Sequence, residues 1–76
     1  MARANELSVV ARGRRERERI ARRDSILAAA QETFSTRGFA GSTMEEVALR
    51  AEITKPTLYG YFHTKDELLL TLMLPV

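Results

Sequence analysis

The sequence predicts an all-α fold, a small helical bundle, and three observations carry that prediction. Apolar residues recur at helical spacing, helix-start signals repeat along the chain, and no alternating strand-like run competes with them. Ile20, Leu27 and Phe34 fall every seven residues, with Ile26 and Ala30 on the same stripe, while "STMEEVALRAE" and "HTKDELLLTLM" each set a threonine three residues before a glutamate. At 76 residues and 45% apolar content the chain forms one small domain of marginal stability.

The first element follows an irregular start. Residues 1–13, "MARANELSVVARG", lack sustained periodicity, and Gly13 closes what reads as a flexible arm. From Arg14 a helix is expected. Its first part, "RRERERIARRD", is polar nearly all round, so its helicity rests on pairs such as Glu18 with Arg22 and it should fray. The helix stops at Gly38, which is free to take a positive φ, and Phe39 folds back on the apolar face.

The second helix starts at Thr43, with Glu46 returning a hydrogen bond to the cap's own N–H in a reciprocal box. Val47, Ala48 and Ala51 give it a short apolar face, and Ile53 plugs the core in the turn that follows.

In "ITKPTLYGYF", Pro56 marks a third helix start, because a first-turn N–H has no partner inside the helix and proline's fixed φ suits it. Either Thr54 caps it with Pro56 second in, or Lys55 takes the cap, as the reluctance of a pre-proline residue to be helical favours. Over about 55–61, Leu58, Tyr61 and Phe62 fall on one side, and Lys55, Tyr59 and Gly60 turn to the other. Gly60 reads as a tolerated helix-end glycine. The fourth helix has Thr64 and Glu67 as its box and Leu68, Leu69 and Leu72 as its buried face.

Charge divides the chain more sharply than the net +2 conveys. Residues 1–23 hold eight arginines against Glu6, Glu16 and Glu18, a balance of +5; residues 24–76 hold Arg37, Arg50, Lys55 and Lys65 against seven acids, a balance of −3. A basic arm at 1–23 on a domain at 24–76 suits a polyanion, nucleic acid or an acidic membrane surface, with a solvated tail as the plain alternative. No cysteine is present to form a disulfide or a thiolate metal site, and no apolar run approaches the ~20 residues of a membrane span. An enzyme is disfavoured: His63 is the only histidine, and Glu45, Glu46, Asp66 and Glu67 sit at helix starts. No cofactor or metal is expected.

A short helix, a tight turn and a second short helix with a polar outer face form a helix-turn-helix pattern, sized for the DNA major groove. From about Asp24 to Met73, "ILAAAQETFSTRGFAGSTMEEVALRAEITKPTLYGYFHTKDELL" resembles the DNA-binding domain of the tetracycline-repressor family of bacterial transcriptional regulators. The resemblance rests on "FSTRGF", "STMEEVA", "TKPTLYGYF" and "TKDEL". It implies a homeodomain-like three-helix core with the start of a fourth helix, and sequence-specific binding of double-stranded DNA, as a repressor, in the bacterial cytoplasm. Thr43 would touch a backbone phosphate; Lys55, Pro56, Thr57 and Tyr59 would lie in or beside the major groove; Tyr61 and Lys65 would bind phosphate. Lys65, in a first helical turn, is at the wrong end for the helix dipole, so a phosphate role is expected over a stabilising one. Arg12, Arg14, Arg15, Arg19, Arg22 and Arg23 are the candidate arm contacts.

The sequence also departs from that family. Glu52 stands where glycine is common, so a strained positive φ is foreseen, and Glu45 brings a carboxylate toward phosphate. Family members continue into a further helical domain that dimerises and binds a small-molecule inducer. Leu69, Leu70, Leu72, Met73 and Leu74 surround the fourth helix, so the chain is expected to be a piece of a longer protein, with a palindromic operator read by a homodimer of the whole. The rival reading is a basic amphipathic module that binds a protein or membrane surface.

Overall fold

The structure, a computed structural model, describes the backbone of residues 3–74 and the side-chain surroundings of residues 13–74. Four helices follow in order: α1 (Arg3–Arg37), α2 (Met44–Arg50), α3 (Lys55–Tyr59) and α4 (Lys65–Met73). Among the described residues there is no strand.

Helix α1 is longer than expected. It starts at Arg3 and runs through Gly13, where the sequence reading places the end of a flexible arm. One interior glycine costs about 1 kcal/mol, and the Arg, Glu, Ala and Leu residues around it are strong helix formers. The expected Glu18–Arg22 pair is absent from the ion pairs of the described residues.

The core is small. Ile26, Ala29 and Ala30 of α1 close on Val47 and Ala48 of α2, Leu58 of α3, Phe62 of the turn that follows and Leu68 of α4, with Leu27, Phe34, Ile53 and Leu72 packed around them. Ile20, expected on the buried stripe, is instead 51% exposed. Helices α2, α3 and α4 have only 7, 5 and 9 residues, so the 35-residue α1 overshoots them and Ile20 has nothing to pack against. Two buried hydroxyls are satisfied locally: Thr33 Oγ1 donates to the Ala29 carbonyl at 2.7 Å, and Ser42 Oγ to that of Gly38 at 2.6 Å.

The connection from α1 to α2 follows from its residues. Gly38 has φ +76 and its N–H bonds the Phe34 carbonyl at 2.9 Å, the single bond of a left-handed helix stop. Phe39 then meets Phe34 edge-on, ring centroids 5.2 Å apart. Gly41 sits so close to the end of α1 that a Cβ there would stand 2.6 Å from the Arg37 carbonyl oxygen.

Both expected capping boxes form only in part. Thr43 and Thr64 cap α2 and α4 by accepting from the N–H groups of Glu46 and Glu67, each at 3.1 Å. The Glu46 carboxylate, however, turns to Arg37 at 3.0 Å and Arg50 at 3.6 Å, while Arg50 also reaches Glu32 at 3.0 Å. Two guanidinium partners outcompete one exposed amide. Glu67 reaches back one residue further than expected and accepts from the His63 N–H at 3.1 Å.

Candidate nucleic-acid interface

The turn between α2 and α3 fixes how the two helices meet. The Ile53 N–H bonds the Ala48 carbonyl at 3.0 Å and the Glu52 N–H that of Leu49 at 3.1 Å, the paired bonds of a Schellman helix stop. Glu52 occupies its left-handed position at φ +59, the strained conformation expected of a side chain standing where glycine fits best.

Thr54, of the two candidates, caps α3. Its side chain accepts from the Thr57 N–H at 3.3 Å, with Lys55 first and Pro56 second in the helix. The threonine hydroxyl satisfies an amide that a lysine cap would leave bare, which outweighs the pre-proline preference of Lys55. Helix α3 ends at Tyr59, two residues before the expected 61, although the N–H groups of Tyr61 and Phe62 both bond the Leu58 carbonyl at 2.9 Å and keep the chain turning.

This short element has two unlike faces. Leu58 is fully buried and Phe62 nearly so, whereas Tyr59 is 42% exposed and the Lys55 side chain 54% exposed. Pro56 is exposed and Thr57 half-buried, its hydroxyl 2.8 Å from that of Thr54. Lys55 and Tyr59 share one shallow depression with Thr43 and Glu45 of the α2 start and with Lys65. The Thr43 hydroxyl spends only its acceptor side on the cap, so its proton remains free to donate. Lys55 Nζ stands 3.9 Å from Glu45 Oε2, a pairing the sequence reading did not foresee.

Lys65 corrects an expectation. Its ammonium donates to the carbonyls of Phe39 at 2.7 Å, Ser42 at 3.0 Å and Ala40 at 3.3 Å, and lies 4.6 Å from the centre of the Phe39 ring. All three donors have acceptors, so the side chain stabilises the α1–α2 loop, the role that its place at a helix start argued against.

Tyr61 lies elsewhere. It is half-buried and lines a second depression with Arg15, Arg19 and Arg22 of α1 and with the turn Ala51–Glu52–Ile53. The predicted residues therefore divide: Thr43, Lys55, Tyr59 and Lys65 line one depression, Arg15, Arg19, Arg22 and Tyr61 the other, and Pro56 and Thr57 line neither. Arg23 joins neither, since its guanidinium rests 5.5 Å from the Phe62 ring centre; Arg14 is exposed outside both; the side chain of Arg12 lies outside the described residues. Among the described residues no cluster of His, Cys, Asp and Glu suits a metal, and no helix is long and apolar enough to cross a membrane.

Comparison with known proteins bears on this geometry. The chain is 44% identical over 52 residues to the HTH-type transcriptional activator FasR of Mycolicibacterium smegmatis, covering 68% of this chain and 24% of that protein. It is 38% identical over 61 residues to the HTH-type transcriptional regulator RutR of Escherichia coli (80% and 29%), and 40% identical over 55 residues to EthR of M. smegmatis (72% and 25%). The chain thus spans about a quarter of the length of these curated relatives. No solved structure gives a match of comparable significance. Residues 26–72 match the family described as bacterial regulatory proteins, tetR family, and with the two short helices in place over that span the chain belongs to the tetR family.

Proposed function

We propose that the chain is the duplex-DNA reader of a transcriptional regulator, with α3 entering the major groove and α2 braced across the phosphates. The observation that carries this reading is the division of α3: Leu58 and Phe62 anchor it in the core, Lys55 and Tyr59 are left outward beside Thr43, and Pro56 is exposed. A five-residue helix with a buried anchor and an exposed lysine and tyrosine fits a groove wide enough for one helix. Lys55 reaches a base edge or phosphate, Pro56 and Thr57 meet the groove wall, and Tyr59 lays its ring along a sugar and its hydroxyl on a phosphate. Thr43 donates its free proton to a phosphate, Tyr61 contacts the backbone at the flank, and the basic half of α1 adds further phosphate contacts.

The regulator as a whole acts in the cytoplasm at the nucleoid, as a homodimer on a palindromic operator, because two half-sites a helical turn apart call for a held pair of readers. Release by a small-molecule inducer belongs to the part of the relatives' length that this chain does not span. Repression is the direction assigned: a reader seated on its operator obstructs that DNA by occupancy alone, whereas activation needs a further contact. FasR, an activator by name, makes this a separate question from family membership.

Selection of bound sequences from a random duplex pool with the full-length protein tests the reading. A palindromic consensus is expected, and its loss in Tyr59→Ala. Binding to anionic vesicles in preference to duplex at matched salt, unaffected by Tyr59→Ala, would establish the membrane-surface module instead.

A further inference from the structure

Three main-chain carbonyls of the α1–α2 loop point at one place. Those of Phe39, Ala40 and Ser42 all accept from the Lys65 ammonium, at 2.7, 3.3 and 3.0 Å, and the Gly38 carbonyl accepts from the Ser42 hydroxyl at 2.6 Å. Carbonyl dipoles turned toward a common point repel one another, so a cation at their meeting point is what lets the loop keep this shape. Lys65 supplies it from the first residue of α4, with the Phe39 ring centre 4.6 Å from the ammonium as a further wall.

Ser42 is the consequential acceptor. Its carbonyl and the Thr43 N–H belong to one planar peptide, so a hold on the carbonyl sets the direction in which the chain enters Thr43. A complete capping box would hold the same peptide from the helix side, through Glu46. Glu46 is instead drawn to Arg37 and Arg50, which leaves the Lys65 bond to fix that peptide. Thr43 spends its hydroxyl oxygen on the Glu46 N–H and keeps its proton free, in the depression that it shares with Lys55 and Tyr59.

The two lysines that line this depression differ in what they have left to offer. Lys55 Nζ stands 3.9 Å from Glu45 Oε2, beyond hydrogen-bond distance, and is open to a ligand, whereas every N–H of Lys65 already has a carbonyl acceptor.

We propose that Lys65 is a positioning residue for duplex binding: it touches no phosphate itself, and by gripping the loop from α4 it sets where α2 begins and where Thr43 presents its hydroxyl. This rests on the duplex-binding reading above, in which Thr43 donates to a phosphate, and deepens it by naming what holds that donor in place.

The affinity of the full-length protein for its selected operator, measured across a range of salt, is the test. Lys65→Arg and Lys65→Met should each lower affinity by roughly 10-fold, the worth of one hydrogen bond to a charged group, with the slope of log affinity against log salt unchanged. Arginine keeps the charge but carries it in a planar fork that cannot converge on three carbonyls, so it would serve a phosphate and fail the loop. In a Thr43→Val background the same two changes should cost about 2-fold or less, because the donor they position is already gone. Lys65→Arg carries the test where circular dichroism shows Lys65→Met unfolded. Retained affinity in Lys65→Arg together with a slope lowered by about 0.9 in Lys65→Met overturns the proposal in favour of direct phosphate contact. Losses that add in full to that of Thr43→Val also overturn it, as does unchanged affinity in folded variants that melt lower, the mark of a lysine that only stabilises. Failure of the underlying reading shows before Lys65 is altered: Thr43→Val alone then leaves affinity unchanged, or the unaltered protein binds no duplex, and the proposal falls with it.

Discussion

Lys65 Nζ lies 2.7 Å from the carbonyl oxygen of Phe39 and 4.6 Å from the centre of the same residue's ring, so one side chain of α4 fastens both the backbone and the aromatic group that end α1. Its further bonds to Ala40 and Ser42 hold the loop that presents Thr43. A hydrogen bond to a charged donor contributes about 1.5–3 kcal/mol, so Lys65→Met should lower the unfolding free energy by about that much in a denaturant melt. A lysine serving only as a phosphate contact would leave the melt unchanged.

The same loop makes Gly41 sensitive. A Cβ there would stand 2.6 Å from the Arg37 carbonyl oxygen, and a backbone atom at the end of a long helix cannot swing aside. Gly41→Ala should therefore cost about 1–3 kcal/mol of stability by the same melt. A neutral Gly41→Ala would mean that the loop shifts freely and that the grip of Lys65 on it is loose.

Glu52 gives a prediction of opposite sign. It holds φ +59 in the helix-turn-helix turn, where a left-handed backbone costs a non-glycine residue about 1–2 kcal/mol. Its side chain is exposed and, among the described residues, makes no ion pair that would offset the strain. Glu52→Gly should stabilise the domain by about 0.5–1 kcal/mol, after the extra entropy of an unfolded glycine is counted. Reduced stability would show that the side chain holds the turn.

What the sequence made legible was local. The stops and starts at Gly38, Thr43 and Thr64 depend on residues within one turn of each other, and the two faces of α3 follow from spacing inside ten residues. The hold of Lys65 on the loop is not legible in the sequence because its acceptors at Phe39 and Ala40 lie some 25 residues away, and nothing near Lys65 announces them. Ile20 was misread for a related reason: its periodicity is that of a buried stripe, but burial depends on the lengths of the helices opposite. Glu46 sat correctly for a capping box and was drawn off by Arg37, a partner on another helix. That Tyr59 and Tyr61 turn to different sides follows from their spacing, but that the side of Tyr61 meets Arg15, Arg19 and Arg22 of α1 needs the tertiary fold.

Leu58 and Tyr59 are adjacent in the chain and should separate cleanly by experiment. Leu58 is fully buried, and truncating a core leucine to alanine costs about 2–5 kcal/mol, most of the stability of a domain this small. Leu58→Ala should thus leave the chain largely unfolded at ambient temperature by circular dichroism. Tyr59→Ala should melt within about 0.5 kcal/mol of the unaltered protein, as surface substitutions do, and lose duplex affinity. Equal melts for the two would mean that α3 is not anchored as described.

Glu45 and Lys55 set the charge that α2 and α3 jointly offer. With Lys55 Nζ 3.9 Å from Glu45 Oε2 and both side chains more than half exposed, the pair contributes little to folding, about 0–1 kcal/mol at most. On a phosphate-lined surface the same carboxylate repels the backbone and competes for the lysine. Glu45→Gln should therefore raise affinity for selected and mixed duplexes alike, by roughly 2- to 5-fold, a change of the size expected of one exposed charge. Lys55→Gln should lower affinity. If Glu45 instead accepts a hydrogen bond from a cytosine amine, Glu45→Gln will reduce the preference for the selected operator and leave mixed-sequence binding nearly as it was, so the ratio of the two affinities decides which role the carboxylate has.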